Sequence, residues 1–291
     1  MDLYQVAAIA IFVAMFVIIV SGRIHRTWAA LGGALLTAII VQRSPAATFN
    51  SVNWETIIFL GGMMVMVAGL GLSGFFRWLC LYVARLARYN TTAIFISFMF
   101  LSGFLAMFID SITVLLFMAA VVIEISYLMG FKPMPFIIAL IFAANTGGAA
   151  TMSGDPPNVI IGTAFGYSFM DFATNTGPIA WAGLLVGMGF LYLTQRHLLA
   201  PAATGAQYPE PRQAITDRPL FLKGVVIFLI IIAFLVSHHA LEQPIYVVGV
   251  TAAVLTLIAA WRRLREVFHE VDWHTLLFFL GLFVVVGGLE E

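Results

Sequence analysis

The sequence predicts an all-α polytopic membrane protein, an inverted-repeat transporter with a re-entrant hairpin and an interrupted helix. Its second repeat is expected to be incomplete. Three observations predict this. Of 291 residues, 62% are hydrophobic and only 10% are charged, against about 25% charged in a soluble domain. A polar, Gly- and Pro-rich stretch at residues 145–158 lies between apolar segments of helix length. A segment near the start recurs 219 residues later.

Apolar runs long enough to span a bilayer place helices at 3–22, 27–42 and 54–75. Residues 91–129 form one apolar block with a polar centre, Asp110-Ser111-Ile112-Thr113. Its length fits either two full spans or a re-entrant hairpin with the polar centre at its tip. An interrupted helix is expected over 134–166, with half-helices at 134–144 and 159–166, followed by a helix at 176–194. Residues 195–222 hold Pro201, Pro209, Pro211 and Pro219 and read as a linker. Helices at 223–237, 245–260 and 273–289 complete the chain. Met1-Asp2 lacks the basic start of a signal peptide.

Basic residues orient this layout. With the N-terminus outside, and with 91–129 entering and leaving on one face, thirteen of the fourteen Lys and Arg residues fall inside. Arg43 alone lies outside, so the positive-inside rule makes the 195–222 linker cytoplasmic. Both readings of 91–129 return the chain to the same face, so charge does not separate them.

Val52–Leu70 aligns without gaps to Val271–Leu289, with nine of nineteen positions identical. The same offset pairs Ala34–Ile40 with Ala253–Ala259. Residues 1–194 form the first copy and 223–291 the start of a second. An odd number of crossings between them inverts the second copy, as in many secondary transporters. Nothing corresponding to 91–194 follows position 291, so the sequence reads as truncated by about 150 residues on this repeat arithmetic.

Composition excludes several classes. The formal net charge is zero, which offers no bulk attraction to nucleic acid. A single cysteine, Cys80, excludes an internal disulfide and a cysteine metal cluster. The six histidines include no HExxH pair, and His238-His239 reads as solvated loop rather than as a structural metal site.

The chemistry concentrates at two places. Gly147-Gly148 and Pro156-Pro157 should interrupt the helix. Irregular backbone at membrane depth is tolerated only inside protein or along a cavity. Asn145, Thr146, Thr151, Ser153 and Asn158 supply neutral hydrogen-bonding groups there, and Asp155 a charge that could hold Na⁺ or carry a proton. A half-helix N-terminus favours an anion, while unwound carbonyls favour a cation. The bland alternative is a kink whose Asp caps the second half-helix. The second place is the Asp110, Ser111 and Thr113 tip, whose alternative is a solvated loop. Glu124 is either a proton relay or a side chain reaching the inner surface. Glu55 and Trp54 read as an ordinary helix start at the interface.

The segment Ala144-Asn-Thr-Gly-Gly-Ala-Ala-Thr-Met-Ser-Gly-Asp-Pro-Pro-Asn158 resembles the AN-x-GG-x-AT-x-x-GDPPN signature of the ion transporter superfamily. The nearest branch holds the arsenite permeases, the NhaD-type antiporters and the melanosomal P protein, with a citrate transporter-like domain. The resemblance implies a scaffold and an elevator-like transport domain, commonly a homodimer, in a prokaryotic inner membrane. On the interrupted helix it implies site residues Asn145, Thr146, Gly148, Thr151, Gly154, Asp155, Pro156, Pro157 and Asn158. On the hairpin tip it implies Asp110, Ser111 and Thr113. Dicarboxylate members are similar but carry Thr where this chain has Asp155, which argues against a close dicarboxylate carrier.

The expected function is secondary active transport of a small ion, driven by H⁺, Na⁺ or the membrane potential, with no other cofactor. The reading leans to an anion permease for arsenite or another anion, with Na⁺/H⁺ antiport as the alternative. A channel is a third option. An intramembrane aspartyl protease using Asp110 and Asp155 is remote, because Met152 stands where a GxGD motif needs Gly.

Overall fold

The computed structural model describes residues 3–199 and 209–290. Pro201 and Gln207, within the expected linker, lie outside the described residues. The first helices are α1 (Leu3–Ser21), α2 (Arg26–Thr37), α3 (Pro45–Asn50), α4 (Trp54–Leu72) and α5 (Phe75–Leu86). The next are α6 (Thr91–Ala106), α7 (Ser111–Met129), α8 (Pro133–Gly148), α9 (Pro156–Phe165) and α10 (Phe169–Gln195). The last are α11 (Arg218–Ser237), α12 (Ile245–Ala259), α13 (Leu264–Glu270) and α14 (Trp273–Glu290). Among the described residues six helices are long and apolar enough to cross a membrane, or seven if the bent α12–α13 pair forms one span.

Several boundaries differ from the sequence reading, each for a local reason. Residues 38–42 continue α2 as a π-helical turn rather than as α-helix. α8 runs on to Gly148 instead of stopping at 144. Asn145 and Thr146 donate back to the Ile141 and Phe142 carbonyls, both at 2.8 Å, and so remain compatible with helix. Gly147-Gly148 therefore closes the helix rather than breaking it. α10 starts at Phe169, not 176, behind a Ser168/Asp171 capping box, and carries Pro178 inside it. α11 starts at Arg218 because Asp217 caps it, accepting the Leu220 N–H at 3.0 Å. The short helices α3, α5 and α13 were not anticipated. In α5, Phe75, Phe76, Cys80, Leu81 and Ala84 are buried while Arg77 and Arg85 lie on the other side, an amphipathic pattern.

The contacts of the two repeated segments correspond at the same 219-residue offset. Asn53 accepts the Thr56 N–H at 3.0 Å, and Asp272 accepts that of Thr275 at 3.1 Å. Trp54 Nε1 donates to the Phe49 carbonyl at 3.0 Å, and Trp273 Nε1 to that of Phe268 at 2.7 Å. At the crossing of α4 with α12, Gly62 leaves room only for the Gly249 backbone. At the crossing of α14 with α2, Gly281 faces the Ala30 backbone in the same way. Gly69 meets the Thr256 methyl, and Gly288 meets that of Thr37. These contacts are reciprocal, since each copy's later helix crosses the other copy's earlier one. Reciprocal contacts are the signature of two-fold packing. Small residues at such crossings let apolar helices approach closely where burial from water gives little drive.

Helices α6–α10 pack largely on one another and share a core with α4, α5 and α11. α6 lies against α8, which also holds α7 and α10. Gly147 on α8 abuts the backbone of Gly103 on α6, so position 147 has no room for a side chain. α4 and α5 join through Gly74, whose φ of 84° and close approach to the Ala214 carbonyl both require glycine.

Candidate functional site

The tip between α6 and α7 meets the break between α8 and α9. α6 has 16 residues, about 24 Å of helix. It ends in the turn Met107–Asp110. Asp110 then caps α7, accepting the Thr113 N–H at 3.0 Å. Residues 149–155 form the break, and Asp155 stands at the N-cap position of α9.

Three hydroxyl bonds join the two carboxylate-bearing segments, and one of them reaches a carboxylate. Ser111 Oγ donates to Asp155 Oδ1 at 2.6 Å, the length of a charge-assisted O–H···O⁻ bond. Behind it, the Met107 carbonyl accepts two hydroxyls, that of Thr151 and, at 3.0 Å, that of Ser153. A carbonyl has two lone pairs and can take both. Asn158 Nδ2 then bridges the break, donating to the Gly148 carbonyl at 3.1 Å and the Thr151 carbonyl at 2.9 Å. Two glycines make the closeness possible. A Cβ on Gly148 would strike the Asp155 carboxylate, and one on Gly154 would strike the Gly148 and Ala106 carbonyls.

The electrostatics follow from what occupies the helix starts. The N-terminus of α7 is capped by Asp110. The N-terminus of α9 begins Pro156-Pro157, which have no N–H to offer, and its next N–H, that of Asn158, bonds to the Asp155 carbonyl at 3.0 Å. Asp110 and Asp155 are both half-buried. No basic side chain takes part in these contacts. The N–H donors expected to attract an anion at this half-helix are thus missing or used. What the cluster presents is two carboxylates, hydroxyls and carbonyls, the oxygen set that hard cations take.

The structure brings together Asp110, Ser111, Gly148, Thr151, Gly154, Asp155 and Asn158, and Thr113 joins through its backbone. It does not bring in Asn145 and Thr146, whose side chains bond to their own helix. Pro156 and Pro157 shape the start of α9 without polar contacts, and Pro157 is exposed. Glu124 lies thirteen residues along α7 from Ser111, about 20 Å of helix. It accepts both Nε and an Nη of Arg77, at 3.0 and 2.6 Å, at a partly exposed surface.

Sequence reasoning missed three participants. The Met107 carbonyl carries no side-chain signal. Thr163 on α9 accepts from Asn53 Nδ2 at 2.9 Å and lies 3.1 Å from the Thr56 hydroxyl, tying the second half-helix to α4. Thr176 on α10 donates to the Ala150 carbonyl in the break at 3.3 Å. His238 Nδ1 lies 3.1 Å from the Gln243 carbonyl, where it can only donate. Among the described residues no cluster of three or more His, Cys, Asp or Glu could hold a metal ion.

A bundle of apolar helices with a broken helix and a carboxylate-bearing tip defines a membrane transporter. The chain belongs to the CitMHS citrate transporter family, whose family model matches residues 16–291, within the ion transporter superfamily. It is 32% identical over 294 residues to the uncharacterized transporter Mb2703 of Mycobacterium bovis, covering 99% of this chain and 68% of that protein. It is 27% identical over 368 residues to the P protein of Mus musculus, covering 99% of this chain and 44% of that protein. Magnetosome protein MamN of Magnetospirillum gryphiswaldense is 29% identical over 295 residues, 97% of this chain and 67% of MamN. The family is described as citrate transporters and the Mycobacterium bovis relative as a transporter, not as enzymes, which removes the aspartyl protease reading.

Proposed function

We propose that this protein is a secondary active ion transporter whose 107–158 cluster forms the first half of a site for the coupling cation, Na⁺ or H⁺. The observation that carries this reading is the convergence of Asp110 and Asp155 through Ser111, beside the α9 start, whose first N–H positions are prolines or already bonded. Asp155 binds and releases the cation, Asp110 adds charge, and Ser111 and Thr151 position oxygens. Both carboxylates lie among apolar helices, where an unpaired charge is costly and a bound cation offsets that cost.

The layout supports a re-entrant hairpin. α9 continues about 15 Å past the point where the tip meets the break, so the tip stops short of the far surface. The N-terminus lies outside and the basic segments lie in the cytoplasm. The two-fold relation lies in the membrane plane, since Trp54 and Trp273 start their helices from opposite faces. Elevator-like motion of α6–α10 against α1–α4 and α11–α14, in a homodimer within a prokaryotic plasma membrane, completes the reading. Exposed Asn145 faces away from the cluster and is available to a substrate.

A second reading, an anion permease, is favoured by the family's description as citrate transporters. In that reading the same carboxylates hold a cation that accompanies or neutralises the anion. Reconstitution into vesicles separates the two. Flux of Na⁺ or H⁺ without added anion supports exchange. Flux that requires citrate or arsenite supports the permease.

A further inference from the structure

The elbow between α12 and α13 forms a cavity that the cluster does not use. It has a volume of about 310 Å³ and lies against the first turns of α11. Lys223, Arg262, Arg263, Asp217 and Trp261 line it. The acids within reach are already engaged. Asp217 Oδ1 caps α11, and its Oδ2 lies 3.8 Å from Arg263. Glu266 is bound by both Nε and an Nη of Arg263. Arg262 lies over the Trp261 ring, 5.6 Å from its centroid. Among the described residues neither Arg262 nor Lys223 has an acidic partner. The cavity therefore keeps two positive charges uncompensated.

Its position indicates the ligand. α13 turns 85° from the apolar α12, the geometry of a short helix laid along a membrane surface at the end of an apolar helix. Trp261, 66% exposed, sits at that corner, as interfacial aromatics do. Leading away from the cavity, α11 exposes Leu222, Val226 and Leu229, one helical face, and α12 exposes Val254 and Ile258. Two free cations at the head of an apolar track match a phosphate group carrying acyl chains. At the 219-residue offset the first copy has Arg43 in the place of Arg262, but Tyr4 in the place of Lys223 and Ser44 in the place of Arg263, so the corresponding corner is less basic. The richer basic cavity lies on the face with thirteen of the fourteen Lys and Arg residues, where anionic lipid is concentrated.

We infer that the α11–α12–α13 cavity binds the head group of an anionic phospholipid, with Lys223 and Arg262 holding its phosphate and its chains lying along α11 and α12. This site stands apart from the transport reading. The test is binding of phosphatidylglycerol to the purified full chain in neutral detergent, followed by native mass spectrometry and by thermal unfolding. Phosphatidylglycerol should bind saturably and raise the unfolding temperature, while phosphatidylcholine and inorganic phosphate should do neither. Lys223→Gln with Arg262→Gln should weaken binding roughly 30-fold, taking about fivefold for each basic residue at a membrane surface. Lys223→Arg and Arg43→Gln should leave it unchanged. Equal binding of phosphatidylcholine, or full retention in the double variant, overturns the proposal. Saturable binding of inorganic phosphate alone overturns the lipid in favour of a soluble anion.

Discussion

Replacing Ser111 with Ala removes the one side-chain bond between the hairpin tip and the charged residue of the break. The hydroxyl donates to Asp155 at 2.6 Å, and hydrogen bonds to charged groups contribute about 1.5–3 kcal/mol. Asp155 is half-buried rather than sealed, so water partly replaces the lost donor and the lower end applies. At about 1.4 kcal/mol per tenfold, the half-saturating Na⁺ concentration should rise roughly tenfold. Ser111→Thr keeps the hydroxyl and serves as the control. The assay is Na⁺-dependent stabilisation of the purified protein against heat. A tenfold shift for Ala and little for Thr is expected. An unchanged midpoint in Ser111→Ala, with the protein folded, refutes the argument that this contact organises the cation site.

Other outcomes follow from packing and charge. Gly147→Ala drives a methyl into the Gly103 backbone and should cost about 1–3 kcal/mol, read as a lower unfolding temperature. Gly62→Ala should do the same at the α4–α12 crossing. Arg77→Ala should change stability by less than about 1 kcal/mol, since its pair with Glu124 is partly exposed, and should leave cation binding intact. The Arg263 guanidinium holds the Glu266 carboxyl below its ordinary range. A depressed carboxylate contributes above its unfolded pKa and loses that contribution as pH falls through its folded pKa. The Arg263–Glu266 contact should therefore persist as pH falls through the usual glutamate range, and open only below it in an NMR titration. Cysteines placed at Asp171 and Gln207 should label from opposite faces, and labelling from one face would overturn the topology.

The apolar helices were legible because lipid-facing and buried segments leave a composition signal. The break was legible because Pro156 and Pro157 cannot continue a helix, although Gly147-Gly148, read as part of the break, ends α8 instead, and the tip because Asp110 interrupts an apolar block. The exact end of α8 was hidden, since Asn145 and Thr146 look like loop residues yet satisfy their polar groups on their own helix. Pro178 and its polar surroundings masked the start of α10, although Ser168 and Asp171 had the spacing of a capping box. α3, α5 and α13 are too short or too amphipathic to register as spans. Which polar groups meet was beyond the sequence. The pairing of Ser111 with Asp155, and of two hydroxyls with the Met107 carbonyl, depends on how two distant segments pack.

The central claim is that Asp155 holds the coupling cation. The most direct measurement is ion flux into vesicles containing the protein or Asp155→Asn, driven by an imposed Na⁺ or pH gradient. Asn keeps the acceptor for Ser111 and nearly the same shape but removes the charge. The account predicts gradient-driven flux in the parent and its loss in a variant that still inserts into the membrane. Gradient-driven flux at the parent rate in Asp155→Asn would contradict it.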